Sequence, residues 1–154
     1  MKLLPGLLLA LALPAHAALD AEGVGIGASE GDVKKQYPSA YCRPLEWSSQ
    51  AADRRCDDGR GRFAGVNARI TFYLRKGAVE AFDVRFATRE GHRLAAALLE
   101  RYGKPATELR QPKHIRLEWR QGAVRAVLDA PLDKRQGSLL VARGDFEDEI
   151  YKVR

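Results

Sequence analysis

A dozen residues of this chain recur at an offset of 45 positions, and that recurrence limits what the chain can fold into more than any other feature. Ile70-Thr71-Phe72-Tyr73-Leu74-Arg75-Lys76-Gly77-Ala78-Val79-Glu80-Ala81 matches Ile115-Arg116-Leu117-Glu118-Trp119-Arg120-Gln121-Gly122-Ala123-Val124-Arg125-Ala126, with Ile, Arg, Gly, Ala, Val and Ala identical. Chance hairpins share a strand pattern but seldom the whole turn, so the match reads as a duplicated hairpin unit. Ile70, Phe72 and Leu74 alternate with Thr71, Tyr73 and Arg75, the period of a strand with one buried face. Lys76-Gly77 makes the turn, and Phe82, Val84 and Phe86 alternate on the return. The match breaks after Ala126, where Val84 would correspond to Asp129 and Asp83 to Leu128, so either the second strand contains a bulge or the repeat ends there.

Each hairpin follows a segment with helical signals. Ser29 with Asp32 resembles a capping box, and Pro38 stops that helix, giving 29–37. Leu94, Leu98, Leu99 and Tyr102 form the apolar stripe of a second helix over 89–102, ended by Gly103 and Pro105. The expected fold is α+β, a single domain over 18–154 in which an antiparallel sheet packs helices on one face as a tandem helix-hairpin repeat. Repeat 1 covers about 24–87 and repeat 2 about 88–143, a last strand over 138–143 closes the sheet, and 144–154 is a polar tail. The glycines at 23, 25 and 27 enter the first helix without the Lys-Ser/Thr of a phosphate-binding loop.

Residues 1–17 read as a cleavable signal peptide, with Lys2, an apolar run over 3–13 and the small-residue site Ala15-His16-Ala17. The run is too short to span a bilayer as a helix. Ala18, not cysteine, follows the cleavage point, so no lipid anchor and no stable membrane anchor is expected, and the destination is the periplasm or the exterior. Cleavage leaves 137 residues with 25 basic against 20 acidic side chains, a net charge of +5. The basic stretch holding Arg54, Arg55, Arg60, Arg62 and Arg69 has no interleaved stacking aromatics, which argues against nucleic acid.

Cys42 and Cys56 form an even pair in an exported chain, and a disulfide between them ties down a polar loop. No Cys-x-x-Cys spacing points to redox or metal chemistry, and no cofactor is expected. The bases available to an enzyme are His92 and His114, neither in a nucleophile context, while Asp53, Asp57 and Asp58 sit among arginines that keep them ionised. No catalytic residue is assigned.

Helix-plus-hairpin units in tandem, with Gly25-Ile26-Gly27-Ala28-Ser29 leading into a short helix, resemble the fold shared by the small barrel-assembly lipoprotein of the outer membrane and the secreted β-lactamase inhibitory protein. The resemblance implies a protein that offers a sheet face to another protein.

If Ile70, Phe72, Leu74, Ile115, Leu117 and Trp119 face the helices, then Arg69, Thr71, Tyr73, Arg75, Arg116, Glu118 and Arg120 line the opposite face, with Trp47 in the disulfide loop a second anchor. The functional expectation is a periplasmic, non-catalytic binding protein that engages an envelope protein through this Arg/Tyr face. An anionic ligand or a small hydrolase is the alternative, and an ordinary solvated face is the bland reading of the same residues.

Overall fold

The computed structural model describes residues 18–152, so the signal-peptide reading of 1–17 lies outside the described residues. Helix α1 (Glu30–Gln36) precedes strands β1 (Tyr41–Pro44), β2 (Arg54–Phe63), β3 (Val66–Arg75) and β4 (Ala78–Ala87). A 3-10 turn (Thr88–Glu90) and helix α2 (Gly91–Tyr102) then precede β5 (Thr107–Gln111), β6 (His114–Gln121), β7 (Val124–Pro131) and β8 (Gln136–Arg143), and a short helix α3 (Phe146–Glu149) follows. All eight strands form one antiparallel sheet in the order β1-β2-β3-β4-β8-β7-β6-β5.

The expected fold class is therefore corrected. The chain is largely β, and its two hairpins, β3–β4 and β6–β7, belong to two four-stranded meanders rather than to helix-hairpin units. The additional strands carry little hydrophobic alternation: β2 is Arg-Arg-Cys-Asp-Asp-Gly-Arg-Gly-Arg-Phe, and β5 exposes all five of its residues at the sheet edge. Neighbouring strands, not local pattern, make them strands. The last strand does not close an edge. β8 lies between β4 and β7 and joins the meanders.

Local signals hold where they are strong. Ser29 and Asp32 cap α1 reciprocally, the Asp32 amide donating to Ser29 Oγ at 3.1 Å and the Ser29 amide to Asp32 Oδ2 at 3.0 Å. Leu94, Ala95, Leu98 and Tyr102 of α2 enter the main core with Ile70, Phe72, Leu74, Ile115, Leu117 and Trp119. Trp119 donates its indole N–H to the Gly103 carbonyl at 2.9 Å, which settles its one polar group at the helix end.

The register break lies in the first hairpin. Tyr73 pairs with Ala81 and Leu74 with Val79, so Glu80 is the extra residue of a bulge in β4, whereas β6 and β7 pair without interruption. The turns differ accordingly. Lys76 and Gly77 both have positive φ, as a type I′ turn requires, whereas the second hairpin turns one residue later, at Gly122-Ala123, with positive φ at Gly122. As a result the equivalent alanines face opposite ways: Ala126 is in the main core, and Ala81 is on the other side of the sheet.

That other side is not uniformly wet, and helices lie on both faces. Phe146 and Ile150, in what the sequence presents as a polar tail, cover Tyr73, Ala81 and Ala142 in a second, smaller core to which Leu45, Trp47, Ala51 and Leu140 are added. Trp47 donates its indole N–H to the Ile150 carbonyl at 2.7 Å, and Ser49 donates its hydroxyl to the Glu149 carbonyl at 3.3 Å. The segment between the cysteines thus holds the C-terminal turn in place.

Candidate functional site

Cys42 and Cys56 stand directly opposite one another on β1 and β2 and are disulfide-bonded, as their number and spacing lead one to expect. Such a bond is that of a chain folding in an oxidising, exported compartment. Among the described residues no helix is long and apolar enough to cross a membrane. Glu30 lies close to both sulfurs, but they are committed to each other, and the Glu30 carboxylate is taken by the Arg54 guanidinium at 3.0 and 3.1 Å. The trio offers no metal site.

The strand register places the outer-face side chains in rows. One row crosses six strands as Leu109, Arg116, Asp129, Ser138, Arg85 and Arg69. A second runs Thr107, Glu118, Val127, Leu140, Asp83, Thr71, Asp57 and Tyr41. A third holds Arg120, Arg125, Ala142, Ala81, Tyr73, Arg55 and Arg43.

The residues expected on this face do not share one environment. Tyr73 is on the outer face but only 7% exposed, between the Phe146 ring at 5.3 Å and the Arg55 guanidinium at 5.8 Å. Burial first, then the nearby Tyr151, pushes its phenol up to about 12. As an anchor for a flat interface it is already occupied. Glu118 is equally buried and serves as the local counter-ion, accepting from Arg125 at 2.8 and 3.1 Å and lying 2.8 Å from Arg120. The Arg125 hydrogen bonds, assisted by Arg120, hold its carboxyl below the usual range. Arg116 lies 3.7 Å from Asp129, which also pairs with His114. Arg116 and Arg120 are thus answered by acids of the same sheet. Arg75 is exposed on the far side of α3, beside Glu80, Arg143 and Glu149, and Trp47 is spent on the Ile150 carbonyl.

Arg69 is different. It faces Arg85 directly across β3 and β4, and like charges opposite one another in a ladder repel. Arg85 is answered by Asp83, which accepts from its Nε at 2.7 Å. Among the described residues neither Arg69 nor Arg60 has a carboxylate at ion-pair distance. Arg60 projects from the irregularity in β2 between Asp58 and Gly61, where the ladder with β3 slips. Arg60, Arg69 and Arg85 line a groove of about 440 Å³ with the amides of Asn67 and Gln136.

A pocket of about 220 Å³ adjoins the groove and shares Arg85 with it. Tyr73, Asp83, Ser138 and Leu140 form its floor and Phe146, Glu147, Ile150 and Tyr151 its wall. Burial raises the Asp83 carboxyl above its ordinary range, against the opposing pull of Arg85. A buried acid whose proton affinity is set by desolvation and one charge partner, in a cleft, marks a site candidate.

Alternation along the strands points to Arg69 and Tyr73 as site residues but not to Arg60, Asp83, Arg85, Ser138 or Tyr151. Counting back from the Lys76-Gly77 turn without a bulge pairs Ile70 with Asp83 and leaves Arg69 opposite Val84. The acid would then face an isoleucine of the core, and that conflict was the available signal for a bulge. Outside the rows, His92 is exposed on α2, and Asp53, Asp57 and Asp58 are committed locally, to the Lys76 amide, to Arg55 and Thr71, and to the Arg60 amide.

No family model matches the chain, and no curated protein does. Among solved structures, the crystal structure of a DUF4309 family protein (YjgB) from Bacillus subtilis is similar at 14% identity, covering 79% of this chain and 83% of that one, with a TM-score of 0.47.

Proposed function

We propose that this chain is an exported, periplasmic binding protein that holds an anionic ligand on the outer face of its sheet, through Arg69, Arg85 and Arg60. The observation that carries the reading is the pairing of Arg69 with Arg85 across adjacent strands, with no carboxylate for Arg69 among the described residues. A cross-strand pair of like charges costs stability. A bound anion removes that cost, and planar guanidinium forks suit carboxylate or phosphate oxygens. Cleavage of residues 1–17 delivers the domain to the periplasm on this reading, consistent with the disulfide.

Calorimetric titration of the mature protein with tripolyphosphate at low and moderate salt tests the reading. Binding should weaken steeply with added salt, and Arg69→Ala should lose about tenfold in affinity, the scale of one charge-assisted contact. Undetectable binding at low salt, or equal binding by the variant, overturns it.

A further inference from the structure

Resting on that reading, we infer that the anion is carried by a sugar, and that the pocket beside the arginine groove seats one ring of an acidic saccharide. The groove by itself asks only for negative charge. The pocket asks for something else, because its floor holds a carboxylate. Asp83 lies beside Arg85 at the junction of groove and pocket, and a ligand with nothing but acceptor oxygens would meet repulsion there. What faces Asp83 must donate hydrogen bonds.

The remaining polar groups ask for the same chemistry. Among the described residues the hydroxyls of Tyr73 and Ser138 have no hydrogen-bond partner, and both line the pocket. Each can donate once and accept. A carboxylate, two hydroxyls and a guanidinium edge converging on one small space match the adjacent hydroxyl groups of a sugar, which donate and accept at neighbouring carbons.

Size and shape agree. A cavity of about 150 Å³ accommodates a benzene molecule. At about 220 Å³, this one takes a six-membered ring with its substituents. At its rim Tyr151 is 69% exposed, yet its ring is held in place by stacking on Trp47, with centroids 5.9 Å apart and planes 22° apart. The electron-rich face of an aromatic ring attracts the C–H edge of a sugar. Ser138, Arg85 and Arg69 occupy neighbouring positions on β8, β4 and β3, so a ring hydroxyl at Ser138 places an attached carboxylate or the next residue of the chain toward Arg69 and Arg60.

Titration of the mature protein with four probes tests this: trimers of galacturonate and of glucuronate, galactotriose as the neutral sugar, and tripolyphosphate as the anion without sugar. At least one uronate trimer should bind about tenfold more tightly than tripolyphosphate, and galactotriose should bind about tenfold more weakly than that trimer or not at all. Tyr151→Ala and Ser138→Ala should abolish the preference for uronate while leaving tripolyphosphate affinity within about twofold, whereas Arg69→Ala should weaken both anions. Tyr151 is exposed, so its truncation leaves the fold intact, and unchanged tripolyphosphate binding confirms that in the same experiment. If tripolyphosphate binds as well as either uronate and Tyr151→Ala changes nothing, the saccharide assignment fails and the anion groove survives. If no anion binds, or if galactotriose binds as tightly as the uronates, the anion reading fails with it.

Discussion

Glu118 shows how much a single side chain decides on this sheet. It is placed between Arg120 and Arg125, whose other close acid contact among the described residues is that of Arg125 with Glu147 at 3.1 Å. Its carboxyl is held low in the folded chain, so the stability it contributes is fully present above the unfolded value near 4.5 and is lost as pH falls through the folded value. Glu118→Gln should therefore destabilise by about 1–2 kcal/mol at neutral pH, as loss of a charge-assisted hydrogen bond does, and the gap from the parent should narrow as pH falls below 4.5. Urea unfolding at a series of pH values measures it, and a gap independent of pH refutes the assigned role. Alternation along β6 is unbroken, and Glu118 lies on the face that alternation gives it. Tyr73 lies on the expected face as well, but beneath Phe146. Alternation says which side a residue is on, not whether another element covers that side.

At the scale of elements, legibility followed hydrophobic pattern. The inner hairpins and α2 were readable because their apolar residues recur at the right period. β1, β2 and β5 were not, since a strand that owes its structure to a neighbour's ladder needs no pattern of its own. α3 was hidden for another reason: its two apolar anchors, Phe146 and Ile150, flank an acidic turn that reads as tail. Its attachment is open to test. Trp47→Phe keeps an aromatic ring against Tyr151 but removes the donor to the Ile150 carbonyl, a loss of about 1 kcal/mol and so a several-fold rise in the opened population of α3. Tryptic cleavage after the exposed Arg143 should accelerate by about fivefold if opening precedes cutting. An unchanged rate means the indole hydrogen bond does not hold the turn. Reduction of the disulfide, which releases the loop carrying Trp47 and Ser49, should act in the same direction.

The whole molecule depends on the pairing of β4 with β8, where the two meanders meet. Gly137 lies in that seam opposite Phe86, and a Cβ there would come within 2.7 Å of the Phe86 ring and 3.0 Å of the Asp129 carbonyl. Gly137→Ala should cost about 1–3 kcal/mol through overpacking. Because both meanders share one core, the loss should appear as a single shifted transition, reported alike by far-ultraviolet dichroism and by the fluorescence of Trp47 and Trp119. Two separated transitions would mean that the meanders are independent units. The seam was not legible in the sequence, since nothing local says which strand of one meander a strand of the other will choose. The seam also runs through the outer-face row: Arg69 and Arg85 come from the first meander, Ser138 from the second. Neither half of the chain contains that arrangement, and it comes into being only where they meet. The face therefore behaves as a logical conjunction, true when both halves are folded and joined and false for either one alone.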